Sequence, residues 1–133
     1  MAESRAYKRL KKMHPLAHWQ RFESWASVGV FDSNACKFGT EVWVENKEVR
    51  DVKKRTDDWI VKTKVRNSQI AWESQRRQMN GQTFVAIMIG SDLFVMSGFW
   101  LRDLKKGLTY GELKKRCIDP KRLFDTPCYF PYP

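Results

Sequence analysis

Hydrophobic and polar positions change period several times along the chain. Pro15 opens a stretch in which Leu16, Trp19, Phe22 and Ala26 recur at helical spacing, which predicts a first helix with Glu23 on the margin of its apolar stripe. Alternation at period two follows in Val28 to Phe31 and again in Thr40 to Val49, predicting two strands joined through Ser33-Asn34 and Gly39. Residues 50 to 58 are charged throughout and read as an exposed loop, and Trp59 to Val65 alternates as a third strand. Asn67-Ser68 supplies an N-cap for a helix over Gln69 to Met79, which Asn80-Gly81 ends. Ile70, Ala71 and Trp72 are its apolar residues, so Arg76 and Arg77 are expected to face outward. Thr83 to Ile89 is continuously apolar and reads as a central strand, turned back through Gly90-Ser91-Asp92 into Leu93 to Met96. From Phe99 onward come short basic helical pieces, then an irregular aromatic tail from Asp125 to Pro133.

Helix, strands, helix and strand pair in this order predict an α/β domain with a mixed central sheet flanked by helices. A single core accounts for 133 residues. The expected organisation is a basic arm over residues 1–14, read as a frayed tail or a flexible clamp for phosphates, followed by one domain over residues 15–133.

Charge narrows the partners. Lys and Arg outnumber Asp and Glu by 25 to 15, for a formal charge of +10. Such an excess on a small domain serves a polyanion, nucleic acid first, unless it only confers solubility. Cys36, Cys117 and Cys128 form an odd set without a CxxC pair, which argues against a disulfide framework or a zinc knuckle and for the reducing cytoplasm. The basic N-terminus lacks the apolar run of a signal peptide, and no segment approaches a membrane span, so no membrane partner is expected.

The candidate chemistry lies between Val28 and Lys47. Glu45 and Lys47 stand two apart on a strand and therefore project from one face. With Asp32 contributed from a neighbouring strand end, two carboxylates and an ammonium would converge on one small volume, the equipment that holds a divalent metal against a phosphate. Oxygen-only ligands select Mg²⁺, with Mn²⁺ as a substitute, over zinc. The two histidines, His14 and His18, are far in sequence from the acids. A carboxylate-held cation would activate water and relieve charge on the phosphate, while Lys47 steadies developing charge or orients the water. Each residue also has a plainer reading. Asp32 could cap a turn through Asn34. Glu45 and Lys47 could be a surface ion pair of little worth. Gln69 could be an ordinary first-turn residue and Trp72 a core residue. A second pattern, Asp57-Asp58 ahead of Lys62 and Lys64, has Ile60 and Lys62 where partnering carboxylates would stand, and reads as a basic strand edge facing DNA.

Taken in order, these pieces resemble the VRR-NUC family, a branch of the PD-(D/E)XK nucleases. They are Gly29-Val30-Phe31-Asp32, Trp43-Val44-Glu45-Asn46-Lys47, Val65-Arg66-Asn67-Ser68-Gln69 with Trp72, and Gly81 before an apolar strand, and the resemblance spans residues 20–98. Stand-alone domains of this kind in phages and bacteria are about this compact. The resemblance implies a restriction-endonuclease-like fold and a metal-dependent phosphodiesterase acting on DNA. It assigns Asp32 and Glu45 as metal ligands, Lys47 beside the scissile phosphate and Gln69 as a brace, and it matches Glu23 to an acidic residue on the first helix, expected as a further metal ligand. In two departures, Phe31 stands where the motif has proline, and Asn46 replaces the hydrophobic residue between acid and lysine and points to the opposite face.

The expected function is thus a Mg²⁺-dependent DNA endonuclease, structure-specific on branched DNA such as junctions or flaps, with DNA contacts from Lys62, Lys64, Arg66, Arg76 and Arg77. By analogy with stand-alone members a homodimer is expected, its interface built by the C-terminal aromatics. No small-molecule cofactor is expected, and the setting is the cytoplasm, a host's if the chain is phage-encoded. The alternative is a catalytically inactive nucleic-acid-binding module with the same fold, and a third reading sets the charge against an acidic protein partner. No base-reading element is visible, so binding is expected to be independent of sequence.

Overall fold

The computed structural model describes residues 4–22 and 29–126. In chain order its elements are α1 (Arg5–Met13), β1 (His18–Arg21), β2 (Ser33–Lys37), β3 (Thr40–Val49), β4 (Ile60–Val61), α2 (Asn67–Gln78), β5 (Gln82–Ile89), β6 (Asp92–Ser97), α3 (Leu101–Lys106), β7 (Leu108–Thr109), α4 (Tyr110–Arg116) and β8 (Cys117–Ile118). The main sheet runs β1-β2-β3-β5-β6-β8, and β4 pairs with β7 apart from it. Only the β3–β5 pair is parallel among the described strands. The mixed sheet flanked by helices is the α/β architecture expected from the sequence.

Two cores lie on the two faces of this sheet, which is why β5 has no polar side. Val85, Ile87 and Ile89 face one core with Phe31, Met96, Leu101, Leu104 and Leu113, and Ile70 and Trp72 of α2 pack against it. Phe84, Ala86 and Met88 face the other with Val42, Val44, Val95 and the α1 residues Ala6 and Leu10. A strand covered on both faces reads as an unbroken apolar run, as β5 does.

The N-terminal segment departs from its expected form. Residues 5–13 are an ordered helix on the sheet rather than a tail or mobile clamp. Ser4 caps it by accepting the Tyr7 N–H at 3.1 Å, and Ala6, Tyr7 and Leu10 are buried. Three apolar residues on one face suffice to dock a short helix, while its basic residues take the other faces: Arg5 pairs with Glu48 at 3.1 Å, and Arg9 donates to the Ser91 carbonyl at 2.9 Å. The helix expected from Pro15 is absent over the described residues. That stretch turns at residues 15–17 and continues as β1, with Trp19 edge-on to Tyr7 at 5.8 Å and Leu16 71% exposed. Spacing of 16, 19 and 22 fits a helix, but pairing with β2 decides the outcome. Glu23 and Ala26 lie outside the described residues, as do Cys128 and the tail aromatics from residue 127 onward.

Three boundaries also shift. The strand expected at Val28 to Phe31 begins instead at Ser33, where buried polar side chains satisfy themselves on β3: Ser33 Oγ donates to the Val44 carbonyl at 2.9 Å and Asn34 Nδ2 to that of Val42 at 3.2 Å. The hairpin turn is Phe38-Gly39, with φ of +47° and +88°, a two-residue turn with both centres left-handed. The strand expected over Trp59 to Val65 shortens to Ile60–Val61, and the α2 cap falls on Arg66 rather than Asn67-Ser68. The stop is where it was expected: Asn80 takes φ of +65° and the Gly81 N–H returns to the Arg76 carbonyl at 2.9 Å.

If α1 belongs to the core, Leu10→Ala lowers unfolding free energy by about 2–5 kcal/mol in urea melts, whereas Leu16→Ala changes it by less than about 0.5 kcal/mol. Equal effects would return residues 5–13 to the status of a tail.

Candidate functional site

The loop ahead of β2 is seated on the start of α2. Gly29 has φ of +80°, and a Cβ there would stand 2.2 Å from the Ser68 carbonyl oxygen, so only glycine permits this approach. Phe31 is fully buried with its ring 4.9 Å from that of Trp72, which accounts for an aromatic where the resembled motif has proline. Asp32 is then fixed from both sides by main-chain bonds. Its carbonyl accepts the Phe22 N–H at 2.9 Å, and its own N–H donates to Glu45 Oε1 at 3.2 Å.

Across the strand gap Glu45 is 4% exposed. Its Oε2 accepts Gln69 Nε2 at 2.8 Å and faces Lys47 Nζ at 3.2 Å. Gln69 Oε1 in turn accepts Lys47 Nζ at 3.1 Å and the Arg66 N–H at 3.2 Å. Lys47 also donates to the Lys64 carbonyl at 2.8 Å, so its ammonium has three acceptors for three donors. The Glu45–Lys47 pair is therefore not a surface ion pair, and Gln69 is more than a first-turn residue. Asp32, Glu45, Lys47 and Gln69 form one connected group drawn from a loop, a strand and a helix.

Asn46 is the member whose part was not foreseen. Its side chain lies on the face opposite Glu45, as alternation requires, yet its Nδ2 donates to Asp32 Oδ1 at 2.6 Å and to Ser33 Oγ at 3.0 Å. Its main-chain N–H reaches the same oxygen at 3.3 Å. Far from disturbing the strand, Asn46 orients the Asp32 carboxylate and leaves Oδ2 with only a long contact, 3.4 Å, to the Asn46 N–H. The β2–β3 register that sets Ser33 against Val44 is what brings the two residues together, and a sequence does not print a register.

Electrostatics single out the two acids. Burial and then the neighbouring Glu45 carboxylate push Asp32 up to about 7, against the opposing pull of Asn46 and Lys47. Burial raises Glu45 as well, opposed chiefly by Lys47. Two crowded, desolvated carboxylates with an oxygen left over are a donor set that suits a hard divalent cation, which would stabilise the charged form of both. Among the described residues no third Asp, Glu, His or Cys joins them, so any remaining ligands would be water or substrate oxygens. The histidines take no part: His14 is buried with Nε2 2.8 Å from the Pro120 carbonyl, and His18 is exposed on β1.

The residues expected to meet DNA divide. Lys62, Lys64 and Arg66 are exposed on the segment between β4 and α2, beside Lys47. Arg76 is exposed, with its guanidinium 5.3 and 5.1 Å from the rings of Trp43 and Trp72. Arg77 does not face outward as expected. It pairs at 2.8 Å with Glu73, which is 3% exposed and also accepts the Thr83 hydroxyl at 2.7 Å, and it lies over the Phe99 ring. A buried acid at position 73 needs a cation from its own helix, and Arg77 is one turn away. The alternative acids are dispersed, Asp57 pairing with Lys114 at 2.9 Å on the surface.

No family model and no curated protein matches the chain. Among solved structures it is similar to Hjc, a Holliday junction resolvase from the archaeal hyperthermophile Archaeoglobus fulgidus, with a TM-score of 0.48 and 12% identity over 84% of this chain and 98% of that one. The chemistry below rests on this chain's own side chains.

A raised carboxyl pKa means that the folded state binds more protons than the unfolded one between about 4 and 7. In EDTA, stability therefore falls as pH rises through that window, and Asp32→Asn flattens the fall. Adding Mn²⁺ at pH 7.5 restores melting temperature in the wild type and not in Asp32→Asn. A wild-type profile that rises between pH 4 and 7 by the same amount as that of Asp32→Asn would contradict this placement of Asp32.

Proposed function

We propose that the protein is a metal-dependent endonuclease that hydrolyses phosphodiester bonds in DNA. The observation that carries the reading is Glu45, an acid buried in a strand, bonded through the same oxygen to Gln69 and Lys47, with Asp32 alongside. Burying such groups is costly for a fold, and a strained set of carboxylates with a cation beside them marks chemistry more often than architecture. Order along the chain, which resembles the VRR-NUC motif, supports the same reading, as does the +10 charge.

Asp32 and Glu45 would hold Mg²⁺ or Mn²⁺, which when bound supplies Lewis-acid relief of phosphate charge and a lowered pKa for a water ligand. The chain does the remaining work. Asn46 fixes the Asp32 carboxylate so that Oδ2 is presented. Gln69 fixes Glu45 and sets the rotamer of Lys47 through its two amide atoms. Lys47, on giving up the Lys64 carbonyl, has a donor for a non-bridging phosphate oxygen or for the attacking water while its ammonium stays beside Glu45 Oε2. Exposed Lys62, Lys64 and Arg66 would carry the flanking phosphates, sequence-independently. Branched DNA is the substrate we favour, by analogy with the stand-alone nuclease domains that the motif order resembles.

Nicking of supercoiled plasmid and of a four-way junction in Mg²⁺ or Mn²⁺ tests this. Glu45→Ala and Lys47→Ala should each lose about 10²-fold or more in rate, the scale seen when one stabilising group is removed from a charge-developing transition state. Unchanged cleavage by both variants removes the proposal. Salt-sensitive binding without hydrolysis in any divalent metal would make the chain a silent binding module.

A further inference from the structure

Between α2 and α3 lies a groove of about 550 Å³ lined by Asn67, Ile70, Ala71, Arg102, Lys105 and Lys106. Gln69, which grips Glu45 and Lys47, is the immediate chain neighbour of Ile70, so the acidic centre and this groove occupy different sides of the same first turn of α2. We infer that the groove seats an unpaired nucleic-acid strand continuing from the acidic centre, with phosphates on Arg102, Lys105 and Lys106 and a base on the Ile70–Ala71 floor. This rests on the nuclease reading of that centre.

Two observations converge on a polyanion with flat apolar faces. First, the cations are uncompensated. Arg55, Arg77, Lys114 and Arg116 each find a carboxylate, whereas among the described residues Arg102, Lys105 and Lys106 have none within ion-pair distance. Lys105 donates instead to the Asn67 side-chain oxygen. The one acid of α3, Asp103, lines the adjacent cavity with Arg77 and Glu73. Second, the floor is apolar and the groove concave. A duplex is too wide to enter a cleft between two helices and offers it only phosphates, while an unpaired strand offers base faces to the floor and phosphates to the rim.

The test reads binding in EDTA, where an inert acidic centre leaves the signal intact. Fluorescence anisotropy of the full chain is measured on a blunt duplex, on the same duplex with an oligo-dT tail, and on free oligo-dT. With Arg102, Lys105 and Lys106 all changed to Ala, affinity for the tailed duplex should drop at least tenfold and for the blunt duplex less than twofold. The slope of log affinity against log salt on oligo-dT should shrink by about two, near 0.7 for each of three phosphates lost. Lys121→Ala with Arg122→Ala, exposed cations of the 120–122 turn, should leave all three affinities unchanged. Should the triple variant melt early, Lys106→Glu at an exposed position gives the same comparison. A triple variant that binds the tail like wild type, loses tail and blunt duplex equally, or is matched by the Lys121–Arg122 pair overturns the inference. Unchanged cleavage by Glu45→Ala and Lys47→Ala with tail preference retained in the wild type and lost in the triple variant would fault the nuclease reading of the centre and not the groove.

Discussion

A glutamate at 4% exposure within a ten-residue strand is tolerable only because its partners are built into three separate elements. Glu45 Oε1 takes the Asp32 N–H from the loop, and Oε2 takes Gln69 from the helix and Lys47 from its own strand. Removing a carboxylate from water costs several kcal/mol, and the cost is offset only when its lone pairs are taken. The bonds around Glu45 therefore fix how the 29–32 loop, β3 and α2 sit against each other. Seen this way, the local features line up. Gly29 has no side chain because α2 passes there, Phe31 pins the loop beneath Trp72, and Gln69 is turned inward at the helix start.

The same constraint explains why two carboxylates remain poorly compensated. Lys47 is shared among Glu45, Gln69 and the Lys64 carbonyl, and Asp32 receives only neutral donors from Asn46. A fold selected for stability alone would do better with apolar residues at these positions. The residual charge strain is what a divalent cation would relieve, and it lies beside the exposed run of Lys62, Lys64 and Arg66.

Much of this was legible in the sequence, because the signals were local. The strand Thr40–Val49 follows from alternation, the buried β5 from an unbroken apolar run, and the side-by-side Glu45 and Lys47 from spacing alone. What escaped notice depended on contacts between distant segments. Three apolar residues among five cations do not announce that residues 5–13 dock on the sheet, and helical spacing from Leu16 loses to pairing between β1 and β2. Asn46 looked like an intrusion between acid and lysine, since only the register reveals Asp32 and Ser33 within its reach. Arg77 looked outward because nothing in the helix pattern shows that Glu73 is buried. Residues legible one at a time were placed well, and those defined by a partner across the sheet or helix were not.

The central claim is that Asp32 and Glu45 share a cation. Crystals soaked in Mn²⁺ and measured at the manganese edge test it directly. The account predicts an anomalous peak about 2.1 Å from Asp32 Oδ2 and from a Glu45 oxygen, absent in Glu45→Gln. A peak elsewhere on the surface with none between these carboxylates, or one that persists unchanged in Glu45→Gln, would contradict it.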